Sequence, residues 1–141
     1  MTLCTDNRRN ILENEKVHAA LLEYAQAGVA RGVALGRYVI MPDHIHLFVQ
    51  GSHNFDLGVW VRELKRVVAA AVSGGRARAH TAEAAAATTL WQRGFFDHVI
   101  RNTESYSQKW DYVRENPVRA GLASAADEWP FQGEIVRIEH R

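Results

Sequence analysis

The feature that most restricts the fold is a pair of short β-favouring runs divided by Pro42-Asp43. Arg37 to Met41 is β-branched and aromatic, His44 to Val49 has the same character and stops at Gly51, and Pro-Asp between them is turn chemistry. The two runs predict an antiparallel hairpin. What lies on either side of it is helical. From Glu13 to Ala30, Val17, Leu21, Tyr24 and Ala25 recur at helical spacing, with glycine punctuation through Gly36. After the hairpin, Asp56 or Asn54 can cap a second helix running to about Val72. Its apolar stripe is Leu57, Val61, Leu64, Val68 and Ala71, and Ser73-Gly74-Gly75 stops it.

Residues 1 to 5 read as a short strand and Asn7 to Asn10 as a turn. Arg76 to Thr89, rich in alanine and arginine without an amphipathic period, reads as a variable loop. Trp91 to Arg101 includes the β-favouring Phe95-Phe96 and Val99-Ile100, so it is expected to be the last strand of the sheet. A final helix starts near Thr103 and must end by Asn116, because Pro117 disfavours helical geometry in the residue before it. The order β-α-β-β-α-β plus a C-terminal helix is that of an α+β, ferredoxin-like split βαβ fold. Its antiparallel sheet carries helices on one face, and the added helix carries Tyr112.

With 141 residues and no internal repeat or linker, residues 1–141 are expected to form one domain. No apolar run approaches the roughly 18 to 20 residues of a membrane span, and the N-terminus lacks the pattern of a signal peptide, so a cytoplasmic location is expected. Cys4 is the single cysteine, which excludes an internal disulfide and a CxxC metal site. The net charge of +1 does not announce a nucleic-acid binder. The positive residues nevertheless gather at Arg62, Lys65 and Arg66, at Arg76 and Arg78, and at Arg93, Arg101, Lys109, Arg114 and Arg119. That spacing fits a solvated surface as well as a phosphate track.

Side chains at i and i+2 of a strand share a face, so His44 and His46 point together, away from Ile45, Leu47 and Val49. Two adjacent imidazoles offer two positions to a divalent ion. Taken alone, His-x-His is as often structural as metal-binding. On the last helix, Tyr106, Trp110 and Val113 form the apolar stripe, whereas Tyr112 and Asn116 stack one turn apart on a flanking face with Ser105 and Lys109. By spacing, a tyrosine in that place is more often a packed or partly exposed aromatic than a nucleophile.

The run Tyr38-Val39-Ile40-Met41-Pro42-Asp43-His44-Ile45-His46-Leu47-Phe48-Val49 resembles the HUH motif of single-tyrosine transposases. A second block, Trp91-Gln92-Arg93-Gly94-Phe95-Phe96-Asp97-His98-Val99-Ile100-Arg101, is continued by Asp111-Tyr112-Val113-Arg114-Glu115-Asn116-Pro117-Val118-Arg119-Ala120-Gly121-Leu122. It resembles the REP-associated tyrosine transposases. With Lys65 and Trp129-Pro130-Phe131, the resemblance spans most of the chain. It implies His44, His46 and Asn116 as metal ligands, Mg²⁺ or Mn²⁺ as the ion, and Tyr112 as the nucleophile. Cleavage of single-stranded DNA would then pass through a 5′-phosphotyrosine intermediate, near hairpin-forming repeats, in a nucleoid-associated protein. The resemblance leaves open a monomer or a homodimer that exchanges the C-terminal helix. Two departures stand out: the chain starts inside the first strand, and it lacks a long basic tail after Trp129-Pro130-Phe131. Either would weaken target recognition or mark a trimmed copy.

For DNA contacts, Lys65, Arg62 and Lys109 are the expected phosphate partners and Trp91 an expected base-stacking surface. Phe95 and Phe96 could stack on bases as well, with core packing the stronger expectation for both, and a supporting role is expected for His98. Two rival readings remain: a catalytically silent ferredoxin-like DNA-binding protein derived from a transposase, and a metal-dependent hydrolase for which Tyr112 is dispensable.

Overall fold

The hairpin forms, and it is longer than the sequence pattern implies. In the computed structural model, which describes residues 1–73, 90–100 and 103–138, β2 (Val33–Ile40) pairs antiparallel with β3 (His44–Gly51). β2 starts four residues before Arg37 because Gly36 does not end an element; it sits inside the strand, where the register shifts between Leu35 and Tyr38. The bulge lies under the C-terminal helix: a Cβ on Gly36 would come within 2.8 Å of Tyr106 Oη, so glycine is needed for close approach.

β1 (Thr2–Cys4) pairs antiparallel with β3, with Thr2 opposite His46 and Cys4 opposite His44. Two helices cover one face of this sheet. α1 (Glu15–Val29) is capped by the Asn14 side chain, which accepts from the Val17 amide, and it buries Val17, Leu21, Ala25 and Gly28. α2 (Leu57–Val72) is capped by Asp56, not Asn54, and buries Trp60, Val61, Leu64, Val68 and Ala69. Against them the sheet sets Leu3, Leu35, Tyr38, Ile40, Ile45 and Leu47, making the main core. Each such side chain, fully buried, contributes roughly 1.5–3 kcal/mol of hydrophobic stabilisation.

α3 (Thr103–Arg114), the added helix, lies on the opposite face, against Phe48 of β3. Its stripe is the one the spacing predicts. Tyr106 is buried against Phe48 with ring centroids 4.8 Å apart, and Trp110 and Val113 pack with Val39, Met41 and Trp129 in a second, smaller core. The helix ends at Arg114, and a separate turn, α4 (Asn116–Arg119), begins with Pro117 in its first positions. There the missing amide costs nothing and the fixed φ suits a start. Asn116 therefore opens a new turn and does not extend the helix of Tyr112.

Two expectations about the sheet are corrected. Trp91 to Ile100 forms no regular strand. It runs beside β1, touching it through isolated bridges at Thr2–Phe96 and Thr5–Trp91. Gly94 takes a left-handed φ of +70, and the Lys65 ammonium draws off the carbonyls of Gln92 (3.0 Å) and Gly94 (2.5 Å), so no continuous ladder develops. The fourth strand is β4 (Gln132–Glu134), which pairs with β2 and gives the order β1-β3-β2-β4. The Trp129-Pro130-Phe131 run leads into it: Trp129 Nε1 donates to Ile40 O, and the Ile40 amide to Phe131 O. Arg101 and the Arg76–Thr89 loop lie outside the described residues. Among the described residues no helix is long and apolar enough to cross a membrane.

Candidate active site

β3 alternation places His44, His46 and Phe48 on the face that α3 covers, since Ile45 and Leu47 belong to the opposite core. The two imidazoles are adjacent, with centroids 4.8 Å apart and planes nearly perpendicular. Each has its Nδ1 engaged. His44 Nδ1 donates to Asp43 Oδ1 at 2.6 Å, because a carboxylate can only accept, and this leaves the lone pair on Nε2. His46 Nδ1 lies 3.0 Å from Thr2 Oγ1, which accepts its proton in the tautomer that frees Nε2. A fixed Nδ1 partner is how metal-binding histidines are usually held.

A second layer supports Asp43. Arg8 Nε donates to Asp43 Oδ2 at 2.7 Å, and Arg8 and Asn7 both take left-handed backbone conformations, φ 51 and 56. Such conformations cost energy in residues with a side chain and tend to cluster at functional sites. The buried Thr5 hydroxyl joins this turn to the hairpin through the carbonyls of Arg9 and Asp43. Burial alone would raise the Asp43 carboxyl. Hydrogen bonds from Arg8 and His44, with their charges, outweigh it and hold Asp43 below the usual carboxylate range. Burial first, then the charge that His44 carries when protonated, the N-terminal ammonium, Arg119 and Arg8, push His46 down to about 3. It is a neutral imidazole at physiological pH, the form that coordinates metals.

A groove of about 420 Å³ opens beside His46 and is lined by Thr2, Phe96, His98, Lys109 and Tyr112 among others. Tyr112 is 68% exposed, unlike the packed aromatics of the same helix. The Arg119 guanidinium stands 4.0 Å from its ring centroid and also donates to Asn116 Oδ1. Arg119 thus ties the tyrosine to the asparagine, and its charge is felt at His46. Among the described residues no group of three or more His, Cys, Asp or Glu side chains is arranged to hold a metal ion.

Comparison with known proteins decides the family. Residues 1–116 match the family described as IS200-like transposases. The chain belongs to that family. The REP-associated tyrosine transposase of Escherichia coli (strain K12) is 29% identical over 104 residues, 72% of this chain and 54% of that protein. A putative REP-associated tyrosine transposase of Haemophilus influenzae (strain ATCC 51907 / DSM 11121 / KW20 / Rd) is 30% identical over 94 residues, 65% of this chain and 53% of the relative. The chain therefore spans about half the length of these curated relatives. A solved REP-associated tyrosine transposase bound to a REP hairpin shares the fold, with a TM-score of 0.69 at 24% identity, covering 93% of this chain and 72% of that one.

Not every residue expected to contact DNA in this chain reaches the groove. Lys109 does. Arg62 is exposed on α2, on the far face of the sheet from the histidines. Lys65 is engaged with the Gln92 and Gly94 carbonyls, and Trp91 is buried with its indole N–H donating to Lys65 O. These two form a clamp that shapes the 91–96 segment. Phe95 is half-buried against the main core as expected, but Phe96 is exposed. His98 is an exposed residue on the groove wall. His18, with no partner visible in sequence, bonds Tyr38 Oη through Nε2 at 2.6 Å. Sequence reasoning missed Arg119, Thr2 and Arg8. The register of β1 against β3 could have indicated Thr2, but Arg8 and Arg119 carry no periodic signal.

Proposed function

We propose that this transposase nicks and rejoins single-stranded DNA with Tyr112 as nucleophile, acting at hairpin-forming repeats. The carrying observation is that His46, Lys109 and an exposed Tyr112 line one groove. A core role leaves a tyrosine packed, as Tyr106 is; Tyr112 instead presents its ring to solvent beside a guanidinium. The hairpin bound by the solved relative supports the substrate class.

His44 and His46 would hold a divalent cation, Mg²⁺ or Mn²⁺, through Nε2, with the Asn116 amide oxygen as third protein ligand. Nitrogen and amide-oxygen donors suit such an ion. When bound, it supplies charge stabilisation at a non-bridging phosphate oxygen. The rest is the work of side chains. Lys109 attracts the DNA backbone into the groove. A phenol is a poor nucleophile until it loses its proton, so Tyr112 Oη passes that proton to water or base as it attacks. Its oxygen then bonds to phosphorus, the bond from phosphorus to the 3′ oxygen breaks, and that oxygen leaves with a proton as a 3′-hydroxyl. The phosphoester energy is kept in the 5′-phosphotyrosine, so rejoining by reverse attack needs no nucleotide. Arg119 stands over the phenol ring and engages one of the two lone pairs of the Asn116 oxygen, leaving the other for the cation. The packing of α3 on the histidine face of its own chain favours action of Tyr112 in cis.

The test is incubation with labelled hairpin DNA and Mn²⁺, resolved on a denaturing gel. A protein-linked band is expected with the unaltered protein and absent with Tyr112→Phe or chelator. If Tyr112→Phe bound DNA like the parent and no band formed with any hairpin, the protein would be a silent DNA-binding relative. Mixing His46→Ala with Tyr112→Phe should restore no band; restoration would show exchange of the helix between subunits.

A further inference from the structure

We propose that Phe96 is a base-stacking platform that holds one nucleobase of the single strand beside the phosphate presented to Tyr112; this rests on the single-strand reading above. Phe96 is 69% exposed, whereas its neighbour Phe95 packs against the main core. Exposure of an aromatic on a loose loop would mean little, but this one is fixed. The Thr2 amide donates to Phe96 O at 2.7 Å and the Phe96 amide to Thr2 O at 3.0 Å. Thr2 is also the residue whose hydroxyl orients His46. The backbone that carries this exposed ring is thus hydrogen-bonded to Thr2, whose hydroxyl meets a histidine of the candidate site.

The surroundings favour a nucleic-acid strand as the occupant. Phe96 lines the same groove as His46, Lys109 and Tyr112, and the Arg119 guanidinium stands over the Tyr112 ring. Asp97 is the opposing charge on that wall. Cations for phosphates next to an apolar ring for a base are the two elements with which single strands are held. A phenyl face carries no donor or acceptor, so the platform tolerates any base and fixes position without reading sequence. Phe96 is accordingly a positioning residue: it sets which phosphate stands before Tyr112.

The test uses the full chain with metal chelated, so that binding is read without cleavage. The probe is a fluorescent hairpin oligonucleotide with a single-stranded extension of about eight nucleotides, together with copies carrying one abasic site at each successive position. Phe96→Ala is expected to weaken binding about tenfold or more, and Phe96→Trp to keep it. At one position the abasic copy should cost the unaltered protein that same factor and cost Phe96→Ala nothing further. Circular dichroism of Phe96→Ala should match the parent, since its backbone bonds remain. Equal abasic costs in both proteins at every position, or parental affinity in Phe96→Ala, would overturn the platform. A concentration-dependent change of mass on Phe96→Ala substitution with unchanged DNA affinity would likewise overturn it, in favour of a contact between copies. Loss of the covalent band in Mn²⁺ with abasic coupling intact would remove the cleavage reading and leave the platform standing.

Discussion

The two faces of the sheet are built from the same strands by opposite rules. On the α1/α2 face, β3 presents Ile45 and Leu47 to a closed apolar core; one residue away, on the α3 face, it presents His44, His46 and Phe48 to an aromatic layer that opens into a groove. The first face is saturated: Leu3, Leu21, Leu35, Ile45 and Leu64 have no exposed surface. The second leaves Phe96 and Tyr112 more than two-thirds exposed and spends its polar contacts on orienting imidazoles. On the function proposed above, stability and chemistry are divided between faces, so a substitution should disturb one while sparing the other.

The sharpest way to break that division is to compare Leu64→Ala with Tyr112→Phe. Leu64 is wholly buried, so truncation should cost roughly 2–5 kcal/mol of unfolding free energy by urea titration. At a temperature where that variant is still folded, its covalent DNA band should persist. Tyr112→Phe removes only an exposed hydroxyl, and its stability should stay within about 0.5 kcal/mol of the parent while the band vanishes. Should Tyr112→Phe unfold as readily as Leu64→Ala, the phenol would be structural and the two faces would not be separable.

The closed face was also the legible one. Helix α1, helix α2 and the hairpin follow from periodicity, because burial on one side imposes a 3.6- or 2-residue pattern; Val17, Leu21, Val61, Leu64 and Val68 fall where the spacing puts them. The pairing of His44 with His46 was legible for the same reason. What escaped is what periodicity does not record. β4 is three residues long and holds its place through the Arg37–Glu134 ion pair and the Trp129 indole, which are contacts distant in sequence. The 91–100 segment has strand-like composition, but a left-handed Gly94 and the Lys65 ammonium override it. Lys65 and Trp91 looked like DNA contacts because charge and aromaticity are visible in sequence and hydrogen-bond partners are not.

Lys65 and Lys109 allow a finer test, since both are basic and only one lines the groove. Lys109→Met should weaken DNA binding and lower the salt dependence of log K by about one unit, as expected when one phosphate contact is lost. Lys65→Met instead removes two charge-assisted bonds to carbonyls. Their partly exposed setting argues for a loss near ~1 kcal/mol, with faster amide exchange at Gln92 to Phe96 and an unchanged salt slope. A reduced slope in Lys65→Met would return that residue to the phosphate track and weaken the case that the 91–96 clamp is structural.

The smallest expected effect concerns Arg119, where two consequences of one side chain have opposite signs. Its guanidinium occupies the Asn116 oxygen and adds positive charge near His46, both of which oppose a cation at the histidines. Arg119→Ala should therefore tighten Mn²⁺ binding, by roughly two- to tenfold if one hydrogen bond is what restrains Asn116. The same substitution removes the cation packed on Tyr112, a contact worth about 0.5–1 kcal/mol at an exposed site, and should slow formation of the covalent band. Tighter metal with slower chemistry is the signature of a residue that divides its contacts between Asn116 and Tyr112. If calorimetry showed Mn²⁺ binding weakened in step with the band, Arg119 would be holding the ligand set together, and the open face would be less independent of its supporting contacts than its exposure implies.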